Sequence, residues 1–119
     1  MARLRITRGE VYLINFDPTV GAEIKKTRPA IVIQNDVGNR YSDMTIVAAI
    51  SSKFGPKLYP TEVLINTSEA GLKIDSVVLL NQIRSVDHQR IVKKLGKVSP
   101  PTLKKIDKAI AISLGLIEI

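Results

Sequence analysis

The sequence predicts a mainly β protein with one C-terminal helix, folded as a small SH3-like β-barrel of six or seven short strands. Three observations predict this fold class. Short β-branched and apolar runs recur over residues 11–98, with turn-forming residues between them. Apolar residues then recur at helical spacing over residues 103–117. A chain of 119 residues can bury one core, and closing the sheet would remove edges that it cannot otherwise cover.

Three runs in the first half of the chain have the character of strands. Val11–Phe16 alternates in strand fashion, while Pro29–Gln34 and Thr45–Ile50 are β-branched runs whose length is typical of buried strands. The intervening segments Thr19–Lys26 and Asn35–Ser42 contain glycine and polar residues without apolar periodicity. We therefore predict that both segments are loops, which is where chemistry is most often found.

The second half of the chain predicts three further strands and the helix. Glu62–Ile65 and Ser76–Ile83 flank a turn-like segment, and Ile91–Val98 is a strand bent at Gly96. Ser99 is a candidate N-cap, and two prolines follow it where a first helical turn tolerates them. One face of the predicted helix carries Leu103, Ile106, Ile110, Leu114 and Ile117.

The charge of the chain favours an acidic partner. Eighteen basic and eleven acidic side chains give a net charge of +7 and a pI near 9.9. Such a balance suits nucleic acid, an acidic membrane surface or an acidic protein. Three Tyr, two Phe and no Trp leave few side chains on which bases could stack.

The composition also limits the class of protein. The absence of cysteine excludes a disulfide framework and a thiolate metal site. The sequence has no long apolar run of the kind that indicates a signal peptide or a membrane span, so we expect neither. We expect a single domain over residues 1–119, located in the cytoplasm.

One cation stands at the entrance of a predicted strand, in the segment Thr27-Arg28-Pro29. A residue before proline is disfavoured in a helix, so the Arg28 side chain should project from a loop edge while the following residues enter the core. A guanidinium group held in this way suits a phosphate. A surface salt bridge is the alternative reading of a single arginine.

Several motifs in one order and spacing together resemble the PemK/MazF toxins of bacterial toxin–antitoxin pairs. The matching segments are residues 8–12, Gly21 and Glu23, residues 27–29, 32–36 and 39–40, residues 46–51, 60–61 and 75–77, residues 81–84, and residues 112–117. The resemblance spans nearly the whole chain. It implies a PemK/CcdB-like fold and a ribosome-independent endoribonuclease, or mRNA interferase, that cleaves single-stranded RNA at specific sequences.

The resemblance implies that Arg28 and Ser51 are the catalytic pair. The family most often has Thr at the second position, and Ser52 follows here, so either serine could face the phosphate; the strand count favours Ser51. RNA supplies its own nucleophile in the 2′-OH, so cleavage needs in-line geometry and charge stabilisation of the phosphorane, without a metal or cofactor. Arginine is a poor general base, and Glu23 in the neighbouring loop is a candidate helper.

Further polar residues should bind the RNA. Basic and amide side chains in the two loops and around them could contact phosphates or pair with splayed bases. These candidates are Arg8, Lys25, Lys26, Asn35, Asn39, Ser52, Tyr59, Asn81 and Gln82. The family often has Glu where this chain has Asn81, which could change the base that is read. The loop Lys53–Pro60 varies within the family, and we expect it to set the cut-site preference.

The resemblance also implies two protein partners, a second copy of the chain in a homodimer and an antitoxin whose acidic, disordered tail occupies the RNA groove. Two other functions stay open, because one fold can serve several. The same barrel occurs in CcdB-like toxins that bind DNA gyrase without cutting anything, and in passive RNA-binding modules. His88 has no second histidine to form an acid/base or metal pair, so we expect it to be structural or solvated.

Overall fold

Six strands form one antiparallel sheet in a computed structural model, which describes residues 5–119. The strands are β1 (Glu10–Asn15), β2 (Thr27–Val32), β3 (Met44–Ser51), β4 (Glu62–Ile65), β5 (Ser76–Asp87) and β6 (Ile91–Lys97). Two helices, α1 (Asp36–Tyr41) and α2 (Pro100–Ser113), and two 3-10 turns, Glu69–Gly71 and His88–Arg90, complete the fold. The predicted mainly β architecture with a C-terminal helix is therefore confirmed.

The sheet has the strand order β4-β5-β3-β2-β1-β6, and every neighbouring pair is antiparallel. In residues 5–119 no hydrogen-bonded ladder joins β4 to β6, so the predicted closure into a barrel is not confirmed. The strand β5 is twelve residues long and pairs with both β3 and β4. It thereby links one edge of the sheet to its centre.

The core lies on both faces of the sheet. On one face, Ile31, Ile50 and Val78 pack with Ile106 of α2. On the other face, β1, β2 and β3 bury a second cluster that consists of Ile14, Phe16, Ala30, Val32, Val47, Ala49 and their neighbours. Successive strand residues point to opposite faces, so a strand covered on both sides is apolar throughout. This explains the continuous apolar run at the end of β3.

The segment predicted as the loop Asn35–Ser42 contains the helix α1, so that prediction was wrong. Asn35 is the N-cap, and its side chain accepts a hydrogen bond from the Gly38 amide at 2.8 Å. Asn39, in the middle of the segment, is only 1% exposed. Capping and tertiary contacts outweigh the low helix propensity of glycine and asparagine in this short helix.

The helix α2 begins after Ser99 as predicted but ends earlier than the apolar spacing suggested. It stops at Ser113, and Gly115 has a φ of +75°. The amides of Gly115 and Leu116 donate to the carbonyls of Ile112 and Ala111, which is the Schellman pattern. Leu114 and Ile117 were predicted on the buried face, and they are instead 60% and 45% exposed.

A buried carboxylate links β1 to β6. Glu10 is 6% exposed and forms an ion pair with Lys94. Burial disfavours the charged carboxylate, but hydrogen bonds from Lys94, the Thr7 amide and Tyr12 lower the pKa of Glu10 overall. Burial and the Glu10 charge raise the pKa of Tyr12. The pairing accounts for a carboxylate that the core could not otherwise accommodate.

The 3-10 turn Glu69–Gly71 packs directly on β6. A Cβ atom added to Gly96 would lie 2.6 Å from the carbonyl carbon of Ala70, and one added to Gly71 would overlap the Leu95 backbone. Only glycine permits this approach of two backbones. Within the described residues, no helix has the length and apolar character that crossing a membrane requires.

Candidate active site

The antiparallel pairing of β2 with β3 brings two distant polar side chains to the same place. Ala30 pairs with Ala49 and Ile31 with Ala48, and the same register carried two residues further sets Arg28 opposite Ser51. Arg28 lies within β2, where it pairs with Ile14 of β1, and not on the preceding loop as predicted. The strand starts two residues before the proline, because its outer ladder to β1 begins at Thr27.

Arg28, Ser51 and Ser52 line one cavity of about 300 Å³. The Arg28 side chain is exposed, and its Nε atom donates to the carbonyl of Lys25 at 3.2 Å. This bond leaves the two terminal nitrogens without a hydrogen-bond partner among residues 5–119. The guanidinium is therefore oriented by the chain while its outer edge can still bind an oxyanion.

The Ser51 hydroxyl is oriented by the backbone that follows it. Its Oγ atom accepts a hydrogen bond from the Lys53 amide at 3.1 Å, and Ser51 is the last residue of β3. Ser52 is exposed, beyond the end of the strand. The same hydroxyl also donates to the Lys53 carbonyl at a long 3.4 Å, so it must turn away from that weak contact to donate its proton to a bound phosphate.

The same cavity has lining residues that sequence reasoning missed. They are Lys73 and Ile74, together with Ile24, Pro29, Ile50, Leu72 and Ser76, while Lys53 belongs to the loop that was predicted to set the cut-site preference. Lys73 and Ile74 lie in the segment between the Glu69–Gly71 turn and β5. No local pattern marks this segment as functional, since its place beside Arg28 depends on how the turn packs on β6.

A smaller cavity of about 100 Å³ adjoins the first, and it is lined by Glu23 and Gln82. Ile24 lines both cavities. Gln82 accepts from the Ile24 amide at 3.4 Å and donates to the Ala22 carbonyl at 3.5 Å, so it holds the loop between β1 and β2. The Glu23 carboxylate accepts from the Val20 amide at 2.7 Å. One of its oxygens is thus occupied by its own loop.

A third cavity of about 480 Å³ contains Tyr59 and Asn81, and it shares Gln82 with the second. The first and second cavities share Ile24, and the second and third share Gln82, so the three cavities are neighbours. We call these three cavities together the groove. It brings together six of the predicted residues, namely Glu23, Arg28, Ser51, Ser52, Tyr59 and Asn81, and Gln82 joins two of its parts.

The remaining basic and amide candidates lie elsewhere. Lys25 and Lys26 are exposed beside Arg28 in the chain, but they line none of the three cavities. Arg8 donates to the Ile33 carbonyl at 2.8 Å and to Asp107 of α2 at 2.6 Å. Its position joins α2 to the end of β2, so the structure gives it a role in the fold.

Asn35 and Asn39 are likewise used inside the protein. Asn35 caps α1, and the amide of Asn39 bonds to Gln34, Asp36 and Thr45 at 2.7–3.2 Å. A buried amide with these partners has no free edge for a base. Both residues lie outside the groove.

The single histidine and the acidic residues do not form a metal centre. In the described part of the chain, no group of three or more His, Asp or Glu side chains could hold a metal ion. His88 lies in the 3-10 turn before β6, where its amide donates to the Asp43 carbonyl at 3.0 Å. Its Nε2 atom is buried without a hydrogen-bond partner among these residues.

Comparison with known proteins gives concordant results from sequence and structure. Residues 7–114 match the family model described as PemK-like, MazF-like toxin of type II toxin–antitoxin system. The chain is 43% identical to Endoribonuclease EndoA of Bacillus subtilis over 113 residues, which cover 95% of this chain and 97% of that protein. The match extends over the strands and helices that build the groove.

Solved structures share the fold. MazF from Deinococcus radiodurans superposes with a TM-score of 0.81 at 25% identity, covering 94% of this chain and 98% of that one. An endoribonuclease in complex with its cognate antitoxin, from a mycobacterial species, has a TM-score of 0.79 at 24% identity and covers 96% of this chain and 99% of its own. The second likeness concerns the fold alone.

Proposed function

Because this chain belongs to the PemK-like, MazF-like toxins of type II toxin–antitoxin systems and is an endoribonuclease, we propose that it cleaves single-stranded mRNA with Arg28 and Ser51 as its catalytic residues. One observation carries this proposal. Both side chains line the same cavity although 23 positions separate them in the sequence, and neither is buried. A fixed guanidinium beside a hydroxyl can bind two or three oxygens of one phosphate.

The reaction needs no nucleophile from the protein. The ribose 2′-oxygen attacks the adjacent phosphorus, a P–O bond to that oxygen forms, and the bond to the 5′-oxygen of the next nucleotide breaks. The 2′-OH loses one proton and the leaving 5′-oxygen gains one, so the products are a 2′,3′-cyclic phosphate and a 5′-hydroxyl. Arg28 stabilises the negative charge that grows on the phosphorane, and Ser51 donates a hydrogen bond to it.

Proton transfer is the step for which Arg28 is least suited, since a guanidinium stays charged at any working pH. Glu23 lies in the adjoining cavity, and one of its carboxylate oxygens is not used by Val20. We propose that this carboxylate accepts the 2′-OH proton, directly or through water. The groove would hold flanking nucleotides, with Asn81 and Gln82 pairing with bases and Tyr59 stacking on one.

The first experiment incubates the wild type and Arg28→Ala with a long single-stranded RNA in EDTA and maps fragment ends by primer extension. Loss of this charge should slow cleavage about 10²–10³-fold, because an electrostatic donor to the phosphorane is removed. Arg5→Ala, an exposed arginine that lines none of the cavities, is the charge-matched control and should cut like the wild type. Circular dichroism melts should be equal for all three proteins.

Two outcomes would contradict the proposal. Intact RNA with the wild type would favour a gyrase-binding or passive RNA-binding role, and equal cutting by Arg28→Ala would remove Arg28 from catalysis. Ser51→Ala and Ser52→Ala, measured in the same assay, identify the hydroxyl that faces the phosphate. We expect the loss with Ser51→Ala, because its hydroxyl is the one that the Lys53 amide orients.

We also propose that the toxin acts in the cytoplasm as a homodimer and that its antitoxin blocks the groove with an acidic tail. The cationic lining of the cavity that contains Arg28 and Ser51 supports the acidic tail. Exposed apolar side chains near β4 and the end of α2 support self-association, namely Leu64, Leu114, Leu116, Ile117 and Ile119. Sedimentation at micromolar concentration should give twice the 13.1 kDa chain mass, and a mass of one chain would exclude the dimer.

A further inference from the structure

A lysine outside all the predicted motifs completes the wall of the catalytic cavity. Lys73 lies two residues after the Glu69–Gly71 turn, and it lines the same 300 Å³ cavity as Arg28 and Ser51. Its neighbour Ile74 lines this cavity as well and is 58% exposed. A cation and an apolar side chain therefore lie together beside the phosphate site. The cation suits the phosphate of a nucleotide, and the apolar side chain suits its base.

The segment that carries Lys73 is held at both ends. Before it, Leu72 is only 7% exposed, and the adjoining turn packs against the backbone of Leu95 and Gly96. After it, the Asp75 carboxylate accepts from both the amide and the hydroxyl of Thr67 at 2.6 Å. These anchors fix the backbone on each side of Lys73, so the side chain emerges from a defined position.

Backbone conformation supports the same conclusion. Ser68, Ala70 and Gly71 have φ values of +78°, +58° and +74°. Left-handed conformations are unfavourable for non-glycine residues, and they persist only where the surroundings determine them. The shape of this segment is thus imposed by its packing.

The charge around the cavity is entirely positive. Its lining includes Arg28, Lys53 and Lys73 and contains no Asp or Glu. The Lys73 ammonium makes no ion pair or hydrogen bond with residues 5–119, in contrast to Lys94, which is paired with Glu10. Three cations that face one space repel one another, and an anion with more than one phosphate relieves that repulsion.

We propose that Lys73 binds the RNA phosphate next to the one that is cleaved and thereby positions the strand across Arg28 and Ser51. This inference rests on the proposed function and adds a positioning residue to it. Arg28 and Ser51 serve the reacting phosphate, and Lys73 serves a neighbouring one that does not react. Its contribution is therefore made equally in the bound substrate and in the transition state, and it should appear in KM and not in kcat.

The test compares Lys73→Gln with Lys104→Gln, which removes the same charge from an exposed position of α2 outside the groove. Cleavage kinetics are measured on an RNA containing the mapped cut site. Binding is measured on the same RNA with a 2′-deoxy nucleotide at that site, so that it cannot be cut. Lys73→Gln should raise KM roughly 5- to 10-fold with kcat within about twofold, since a charge-assisted contact is lost.

The salt dependence of binding gives a second readout that does not involve cleavage. Lys73→Gln should make the slope of log affinity against log salt shallower by about 0.7, the value for one phosphate of a single strand. Lys104→Gln should leave KM and this slope unchanged, and Lys73→Arg should restore both. Circular dichroism melts of the variants should coincide with the wild type.

Three results would overturn the inference. They are equal KM and equal slope for Lys73→Gln and Lys104→Gln, a fall in kcat with KM unchanged, and failure of Lys73→Arg to restore binding. A wild type that does not cut RNA would instead contradict the proposed function. The slope measured with an uncleavable RNA would still decide whether Lys73 contacts a phosphate, so the two failures are distinguishable.

Discussion

Among single residues, Asn39 of α1 and Asn81 of β5 show how one side-chain type can serve either a fold or a ligand. Asn39 is 1% exposed, and Thr45 donates to its Oδ1 atom at 2.7 Å while its Nδ2 atom donates to the Gln34 carbonyl at 3.0 Å. Asn81 has the same amide on the exposed face of β5, in the third cavity of the groove. Burial distinguishes the role in the fold from the role in ligand binding, and burial cannot be read directly from the sequence.

Asn39→Ala should therefore destabilise the protein without changing its chemistry. Removal of the amide leaves the Thr45 hydroxyl and the Gln34 carbonyl buried without their partner, at a cost of about 1–3 kcal/mol in the free energy of unfolding. Urea unfolding measures this loss, with Asn66→Ala at an exposed position as the control, expected within about 0.5 kcal/mol of wild type. A stable Asn39→Ala variant with weakened RNA binding would restore the role first predicted for this residue.

Among the elements, the strands were predictable and α1 was not. Most of the strands are apolar runs that are buried on one or both faces of the sheet, so their composition carries the signal, and β4 was predicted with its observed bounds, Glu62–Ile65. The helix α1 has six residues, of which only Asn39 is buried, so no apolar face of this helix joins the core. It is held by Asn35 and by long-range bonds, including that from the Arg8 amide to Asp36 at 2.7 Å. Contacts of that kind leave no periodic pattern to read.

The residues of the candidate site also fall into two groups, those that were predicted from the sequence and those that were missed. Arg28 and Ser51 were predicted because they belong to motifs of a family whose order this chain preserves. Lys73 was missed because its position follows from the packing of the Glu69–Gly71 turn on β6, through glycines that are 25 positions apart. No local sequence pattern indicates that the backbones at Gly71 and Gly96 lie close together.

The contact between the Glu69–Gly71 turn and β6 can be tested by substituting the glycine that permits it. Gly96→Ala should lower the free energy of unfolding by about 1–3 kcal/mol, because the new methyl group would press on the Ala70 backbone. It should also weaken RNA binding, since the turn carries the segment of Lys73. Gly55→Ala, where no atom lies within 4 Å of the added Cβ, is the matched control for stability and should leave the free energy of unfolding unchanged. Equal melting curves for Gly96→Ala and Gly55→Ala would show that the Glu69–Gly71 turn can shift away from the added methyl group without loss of stability.

At the scale of the whole molecule, the net charge of +7 favours RNA binding, and the number of phosphates that the protein neutralises sets how this binding responds to salt. Three cations line the catalytic cavity, and if each neutralises one phosphate, log affinity for single-stranded RNA should fall against log salt with a slope near −2. Titration of an uncleavable RNA between about 50 and 300 mM salt measures that slope. A flat response would exclude phosphate binding by the groove.

The placement of the loop between β3 and β4 has a consequence for how such toxins diverge. Residues 53–59 are exposed except for one half-buried position, and a Cβ atom added to Gly55 would have no atom within 4 Å beyond its chain neighbours. Arg28 and Ser51, in contrast, are fixed on paired strands. We propose that target choice lies in this loop, so random libraries confined to residues 54–59, which leave Lys53 in the catalytic cavity, should retarget the enzyme toward new messages while Arg28, Ser51 and the fold stay intact.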